Sequence, residues 1–231
     1  MFYDADGMSG DQYVGDGDTD VVTYEVGGSF DFTTVGADLI DASVEWVGFT
    51  SPVTATGTGG TNRFDGSAGT DILNGGAGTD WLVGNSGTDT LLGGADNDRL
   101  HGGADSDVLR GGTVSDFLSG GDAEGSGDGA ADTFFYMTSD LDSLDRIQDF
   151  ELGLDKIGLD AASFGLAAGT LDADRFYAYG DTITETGSVF VYRDTDGALF
   201  WDADGSGAGG LVAMTYLTGN PALTNADLFV V

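Results

Sequence analysis

Cysteine is absent from this chain of 231 residues, so neither a disulfide framework nor a thiolate metal site is available to it. Basic residues are scarce: 7 Lys plus Arg stand against 40 Asp plus Glu, for a formal net charge of −33. So acidic a chain repels phosphate backbones and anionic lipid, which argues against nucleic acid or membrane insertion and in favour of cations as partners. The single histidine, His101, and the lack of H-E-x-x-H and G-x-S-x-G remove the zinc-protease and serine-hydrolase motifs. No apolar run approaches the roughly 20 residues of a membrane helix. The acidic start, Met1 to Asp6, has neither the basic nor the apolar segment of an N-terminal signal peptide. Glutamate is also rare, confined to Glu25, Glu45, Glu124, Glu151 and Glu185.

The acid is therefore nearly all Asp, and it comes with 41 Gly. That pairing points to turns and short-armed metal ligands rather than to solvated helices. Stepping by nine from Phe64 lands on Leu73, Leu82, Leu91, Leu100, Leu109 and Leu118. Two places before each stands Asn62, Asp71, Asp80, Asp89, Asp98, Asp107 or Asp116, and five places before that a glycine, from Gly57 through Gly66, Gly75, Gly84, Gly93 and Gly102 to Gly111. Further turn glycines include Gly69, Gly78 and Gly87, and after Gly120-Gly121 a longer loop delays the next pair to Asp132 and Phe134. The unit is G-G-x-G-x-D-x-U-x, with U a large apolar residue.

Three residues of each unit suffice for a very short strand with the apolar one inward, and the other six must reverse the chain. Glycines permit the left-handed backbone of tight turns and leave carbonyl oxygens free to converge. Those carbonyls and one carboxylate per turn form the all-oxygen shell that calcium favours. Two units make one coil, so turns 18 residues apart stack: Asn62, Asp80, Asp98 and Asp116 share one edge, and Asp71, Asp89 and Asp107 the other. The alternative is a solenoid whose Asp residues merely cap turns, but it would pile carboxylates about 5 Å apart without counter-charge. About six ions, three per edge, are expected.

Residues 57–134 resemble the RTX (repeats-in-toxin) nonapeptide array, which implies an all-β, right-handed parallel β-roll with several Ca2+ ions between adjacent turns. The resemblance carries the ligand role to the Asp positions above, with Asn62 and Asp132, and to carbonyls of the glycine turns. Asp96, Asp105 and Val114 depart from the pattern at the fourth position, where a β-branched valine fits a left-handed backbone poorly. Residues 131–160 resemble the region that follows the β-roll in the serralysin C-terminal domain and similar type I secretion substrates, through Asp132-Thr133-Phe134, Asp145-x-Ile147-x-Asp149-Phe150 and Asp155-Lys156-Ile157. That likeness implies a secreted, extracellular protein with a type I exporter as partner and a C-terminal export signal.

Around the roll, residues 1–56 read as irregular β coils, with Val21 to Tyr24 and Val44 to Val47 as strands. Asp16, Asp18 and Asp20 have metal-like spacing but read as a solvated loop. Residues 135–231 read as an antiparallel β capping region, including Ser188 to Tyr192 and Ala198 to Trp201, with β-turns at Asp194 and Asp202. The final Asp227 to Val231 suits either an export signal or a sheet strand. His101, at the ninth repeat position, is expected on the surface. The chain thus reads as a calcium-binding module, non-enzymatic in itself. The alternatives are the C-terminal part of a secreted protease-, lipase- or epimerase-like enzyme, and a surface-layer, adhesin or polysaccharide-binding protein with a glycan or cell surface as partner.

Overall fold

The computed structural model describes residues 21–24, 28–31, 46–49, 52–57, 59–122, 125–205 and 210–231. Asp16, Asp18, Asp20, Val44 and Glu45 lie outside these. Strands β1 (Val21–Tyr24), β2 (Gly28–Asp31), β3 (Trp46–Phe49) and β4 (Val53–Thr56) lead into the repeats, whose first unit carries β5 (Arg63–Asp65). The repeats form β6 (Ile72–Ala77), β7 (Trp81–Ser86), β8 (Thr90–Ala95), β9 (Arg99–Ala104), β10 (Val108–Gly112) and β11 (Phe117–Ser119). Beyond them come β12 (Thr133–Tyr136), β13 (Asp145–Ile147), β14 (Lys156–Leu159), β15 (Gly169–Thr170) and β16 (Phe176–Ala178). The last are β17 (Val189–Arg193), β18 (Ala198–Asp202), β19 (Val212–Leu217) and β20 (Leu228–Val230). One α-helical turn, α1 (Ala161–Phe164), starts on the Asp160 carboxylate, which accepts from the Ser163 N–H, and stops at left-handed Gly165. No described helix is long and apolar enough to cross a membrane.

Alternate strands enter alternate sheets. One sheet runs β1-β3-β5-β7-β9-β11-β13-β19-β18-β17-β16 and the other β15-β20-β14-β12-β10-β8-β6-β4-β2. Pairing is parallel from β1 through β13 to β19 and from β2 through β14 to β20, the arrangement of a β-roll. Each repeat supplies one inward apolar residue, so two columns face one another. Phe64, Leu82, Leu100, Leu118, Ile147 and Leu217 are in register on one sheet. Ala55, Leu73, Leu91, Leu109, Phe134, Ile157 and Leu228 are in register on the other. All are at most 2% exposed. At about 1.5–3 kcal/mol per large side chain, these columns are the principal apolar contribution to the repeat region.

The C-terminal region corrects the antiparallel expectation in part. Strands β17, β18 and β19 pair antiparallel, and β15 pairs antiparallel with β20. Yet β19 and β20 join the roll's sheets in parallel, and β16 is parallel to β17. The physical reason is that Ile147, Ile157, Leu217 and Leu228 prolong the inward columns, so the chain returns to the roll instead of closing a separate sheet. The Asp202 loop is a turn: its Oδ1 accepts from the N–H groups of Asp204 and Gly205, both at 3.1 Å.

Left-handed backbone falls at the second and fourth repeat positions: Gly76, Gly94, Gly103, Gly112 and Asn85 in the second, Gly78, Gly87, Asp96, Asp105 and Val114 in the fourth. Val114, at φ 74°, carries the usual β-branched penalty of about 1–2 kcal/mol. Val114→Gly should therefore stabilise the calcium-loaded protein by about 1 kcal/mol, once glycine's larger unfolded-state entropy is subtracted. Gly112→Ala should do the reverse, because φ is 115° and the new Cβ would meet the Gly94 carbonyl oxygen. Denaturant midpoints with unchanged slope measure both; a Val114→Gly midpoint at or below the parent's would refute the strain.

Candidate metal centre

Each turn ends on a buried Asp whose two oxygens do different things. Oδ1 accepts the main-chain N–H of the equivalent residue one coil earlier. On one edge Asp80 accepts from Asn62 at 2.7 Å, Asp98 from Asp80 at 2.8 Å and Asp116 from Asp98 at 2.8 Å. On the other, Asp71 accepts from Val53 at 2.6 Å, Asp89 from Asp71 at 2.7 Å and Asp107 from Asp89 at 2.7 Å. The two expected rows are thus assembled on opposite edges of the coil.

Oδ2 is left over. In Asp80, Asp89, Asp98, Asp107 and Asp116 it is buried and has no hydrogen-bond partner. In Asp71 it accepts from the N–H and hydroxyl of Ser67. A buried carboxylate oxygen without a donor is costly, so five in succession call for a positive group. Space for one is built in by the first glycine of each unit. A Cβ at Gly75, Gly84, Gly93, Gly102 or Gly111 would collide with the Oδ2 of the Asp five residues on, and at Gly84, Gly93 and Gly102 also with a glycine carbonyl oxygen of the next coil. A Cβ at Gly66 would likewise lie 2.8 Å from Asp71 Oδ2 and 2.6 Å from the Gly84 carbonyl oxygen. None of these six has a positive φ, so glycine is required there for close approach and not for chain reversal. By contrast a Cβ at Gly69 would meet the Pro52 ring, at Gly78 the Gly60 main chain and at Gly87 the Gly69 main chain.

Burial pushes these carboxyls far above the ordinary range: Asp80, Asp89 and Asp98 up to about 7, Asp107 and Asp116 up to about 8. The N–H donated to Oδ1 opposes this only partly, and neighbouring acids add to it. Among the described residues no three acidic or histidine side chains converge. A cation shell here must be completed by main-chain carbonyls, which suits a hard cation that accepts many oxygens.

Three carboxylates beyond the regular repeats occupy the same rows. Asp132 accepts from Asp107 N–H at 2.9 Å and its Oδ2 lies against Gly120, so the inserted loop leaves the turn chemistry unchanged. Asp145 accepts from Asp116 N–H at 3.0 Å, and Asp155 from Asp132 N–H at 3.0 Å. Asp145 is 1% exposed and pushed up to about 7, chiefly by burial, and the Tyr136 hydroxyl faces it without closing a well-formed hydrogen bond. Asp155 differs, because its Oδ2 accepts from Glu151 N–H at 2.7 Å. Period nine does not find Asp145 or Asp155; the apolar residue two places on, Ile147 and Ile157, is the signal that could have.

His101 is not on the surface. It is 3% exposed, packed between Trp81 and Phe117 at ring-centroid distances of 6.1 and 6.0 Å, and bonded to the Asp122 main chain. The segment after Gly120 folds back over it, and burial lowers its pKa.

Residues 56–91 and 83–118 match the family model of the RTX calcium-binding nonapeptide repeat (4 copies). No curated protein matches the chain. The chain accordingly carries RTX calcium-binding repeats, which bind calcium ions, several in an array of this length, and proteins with such repeats are typically secreted.

Proposed function

We propose that this chain of RTX repeats is a calcium-responsive folding module: unfolded where calcium is scarce, folded outside the cell, non-enzymatic in itself, and exported by a type I machinery that reads its C-terminal region. The run of buried, unpartnered Oδ2 atoms from Asp80 to Asp116 carries this reading. The ligands would be Asp71, Asp80, Asp89, Asp98, Asp107, Asp116 and Asp132, with carbonyls of the first-glycine turns, Asn62 at the start of one row and Asp145 extending it. When bound, calcium supplies the positive charge that the stacked carboxylates lack. The chain's own part is positioning: each main-chain N–H fixes Oδ1, which aims Oδ2, and each first glycine keeps the approach open.

Asp98 stands mid-row, holding the Asp80 N–H and held through its own N–H by Asp116. Asp98→Ala should disturb the gaps on both sides and raise the calcium midpoint of folding several-fold, whereas Asn62→Ala should move it little, since Asn62 brings no charge. Calcium titrations followed by circular dichroism compare the two; equal midpoints would sink the assignment.

A further inference from the structure

The outward residues immediately before the inward column form a second row, and its composition is unlike the rest of the chain. Across β5, β7, β9, β11, β13 and β19 the register aligns Arg63, Trp81, Arg99, Phe117, Arg146 and Tyr216. Cation and ring alternate without a break. Three of the chain's seven basic residues are in this one row, in a protein with 40 acids. Arg99 and Arg146 are exposed, and neither forms an ion pair among the described residues. Trp81, Phe117 and Tyr216 are half-buried. The Arg63 guanidinium lies 4.3 Å from the Trp81 ring centre, and that of Arg146 is 6.0 Å from both Phe117 and Tyr216.

We infer that this row is a binding track for an extended, carboxylated polysaccharide of the uronate class, running across the strands. Neighbouring strands are about 4.8 Å apart, so the arginines recur at twice that distance, with a ring between each pair. One sugar of an extended 1,4-linked chain advances by close to one strand spacing. In a two-fold chain the carboxylates on one side recur at every second sugar, matching the arginine recurrence. The guanidiniums of Arg99 and Arg146 each offer donors to a carboxylate, whereas Arg63 is already paired with Asp65 at 3.2 Å and serves at the end of the row. The sugar between them lays its apolar C–H face on the exposed part of a ring. The net charge of −33 opposes any polyanion, so the attraction must come locally from the arginine row, and sulfate and phosphate polymers are the rival occupants that the test separates.

The test uses the calcium-loaded full chain, a short oligogalacturonate, the same oligosaccharide with its carboxyls reduced to alcohols, a sulfated oligosaccharide and an oligothymidylate. The oligogalacturonate should bind and perturb tryptophan fluorescence, with salt weakening it, and the reduced form should not. Arg99→Gln with Arg146→Gln should weaken binding about tenfold or more while calcium uptake and circular dichroism stay unchanged. The inference is overturned if the oligogalacturonate does not bind, if the double variant binds it as well as the parent, or if the sulfated or thymidylate probe binds more tightly. Because folding is read separately by circular dichroism, failure of the calcium-dependent module and failure of the track are distinguishable.

Discussion

Chelating calcium at about pH 8 should abolish the β-rich circular dichroism of this protein, and millimolar calcium should restore it. The stacked Asp carboxylates are buried, and without a counter-charge they oppose folding. Each site filled at ~100-fold above its dissociation constant adds roughly 2.7 kcal/mol, so four such sites contribute on the order of 10 kcal/mol, the size of a typical domain's entire stability. The same groups fix the sign of the pH response. Carboxyls at 3.8 in the unfolded chain are raised to about 7 or 8 in the metal-free fold, so the fold takes up protons. Their contribution is complete below pH 3.8 and is lost as pH rises through about 7 to 8. A chelated sample should hence be more ordered at about pH 5 than at about pH 8. With calcium the direction reverses, because the ligands must be deprotonated. A chelated sample with an unchanged spectrum at pH 8, or one more ordered there than at pH 5, would refute this account.

Deleting Asp227 to Val231 should open the C-terminal cap while leaving the repeats folded in calcium. Strand β20 is not an edge: it lies between β14 and β15. Leu228 and Val230 are at most 1% exposed, and Val231 exchanges main-chain hydrogen bonds with Leu159 and Ala161 at 2.9 and 2.7 Å. Removing two such side chains costs roughly 2–5 kcal/mol for the larger and less for the smaller, before the exposure of Ile157 and Leu159 is counted. The Lys156–Asp227 pair, at 3.8 Å with the lysine partly exposed, adds little. Hydrogen exchange should show lost protection in β14 and retained protection in β7 to β9; equal protection of β14 in both proteins would contradict the packing. In cells with a matched exporter the truncated chain should accumulate inside while the intact chain reaches the medium. Equal export at equal expression would place the signal elsewhere and leave β20 a structural strand alone.

The sequence alone determined the inward column from Phe64 to Leu118, the two Asp rows and their opposite edges, because a nine-residue period with one apolar residue per unit leaves a single way to stack. Arg63, Trp81, Arg99 and Phe117 are also 18 residues apart, but it was the strand register that brought them out as one outward row. Tertiary packing decided the course of the chain beyond Leu118. Asp132, Asp145 and Asp155 join their rows at separations of 25, 29 and 23 residues, which no period predicts. Arg146 and Tyr216 likewise enter the outward row through segments of unlike length. The burial of His101 depends on where the loop after Gly120 settles, and β20 finds its place between strands begun more than 50 residues earlier. The physical reason is that a repeat encodes its neighbour's register locally, in turn geometry and side-chain alternation, whereas a strand returning after an irregular loop takes its register from the apolar column and the unpaired N–H groups it meets.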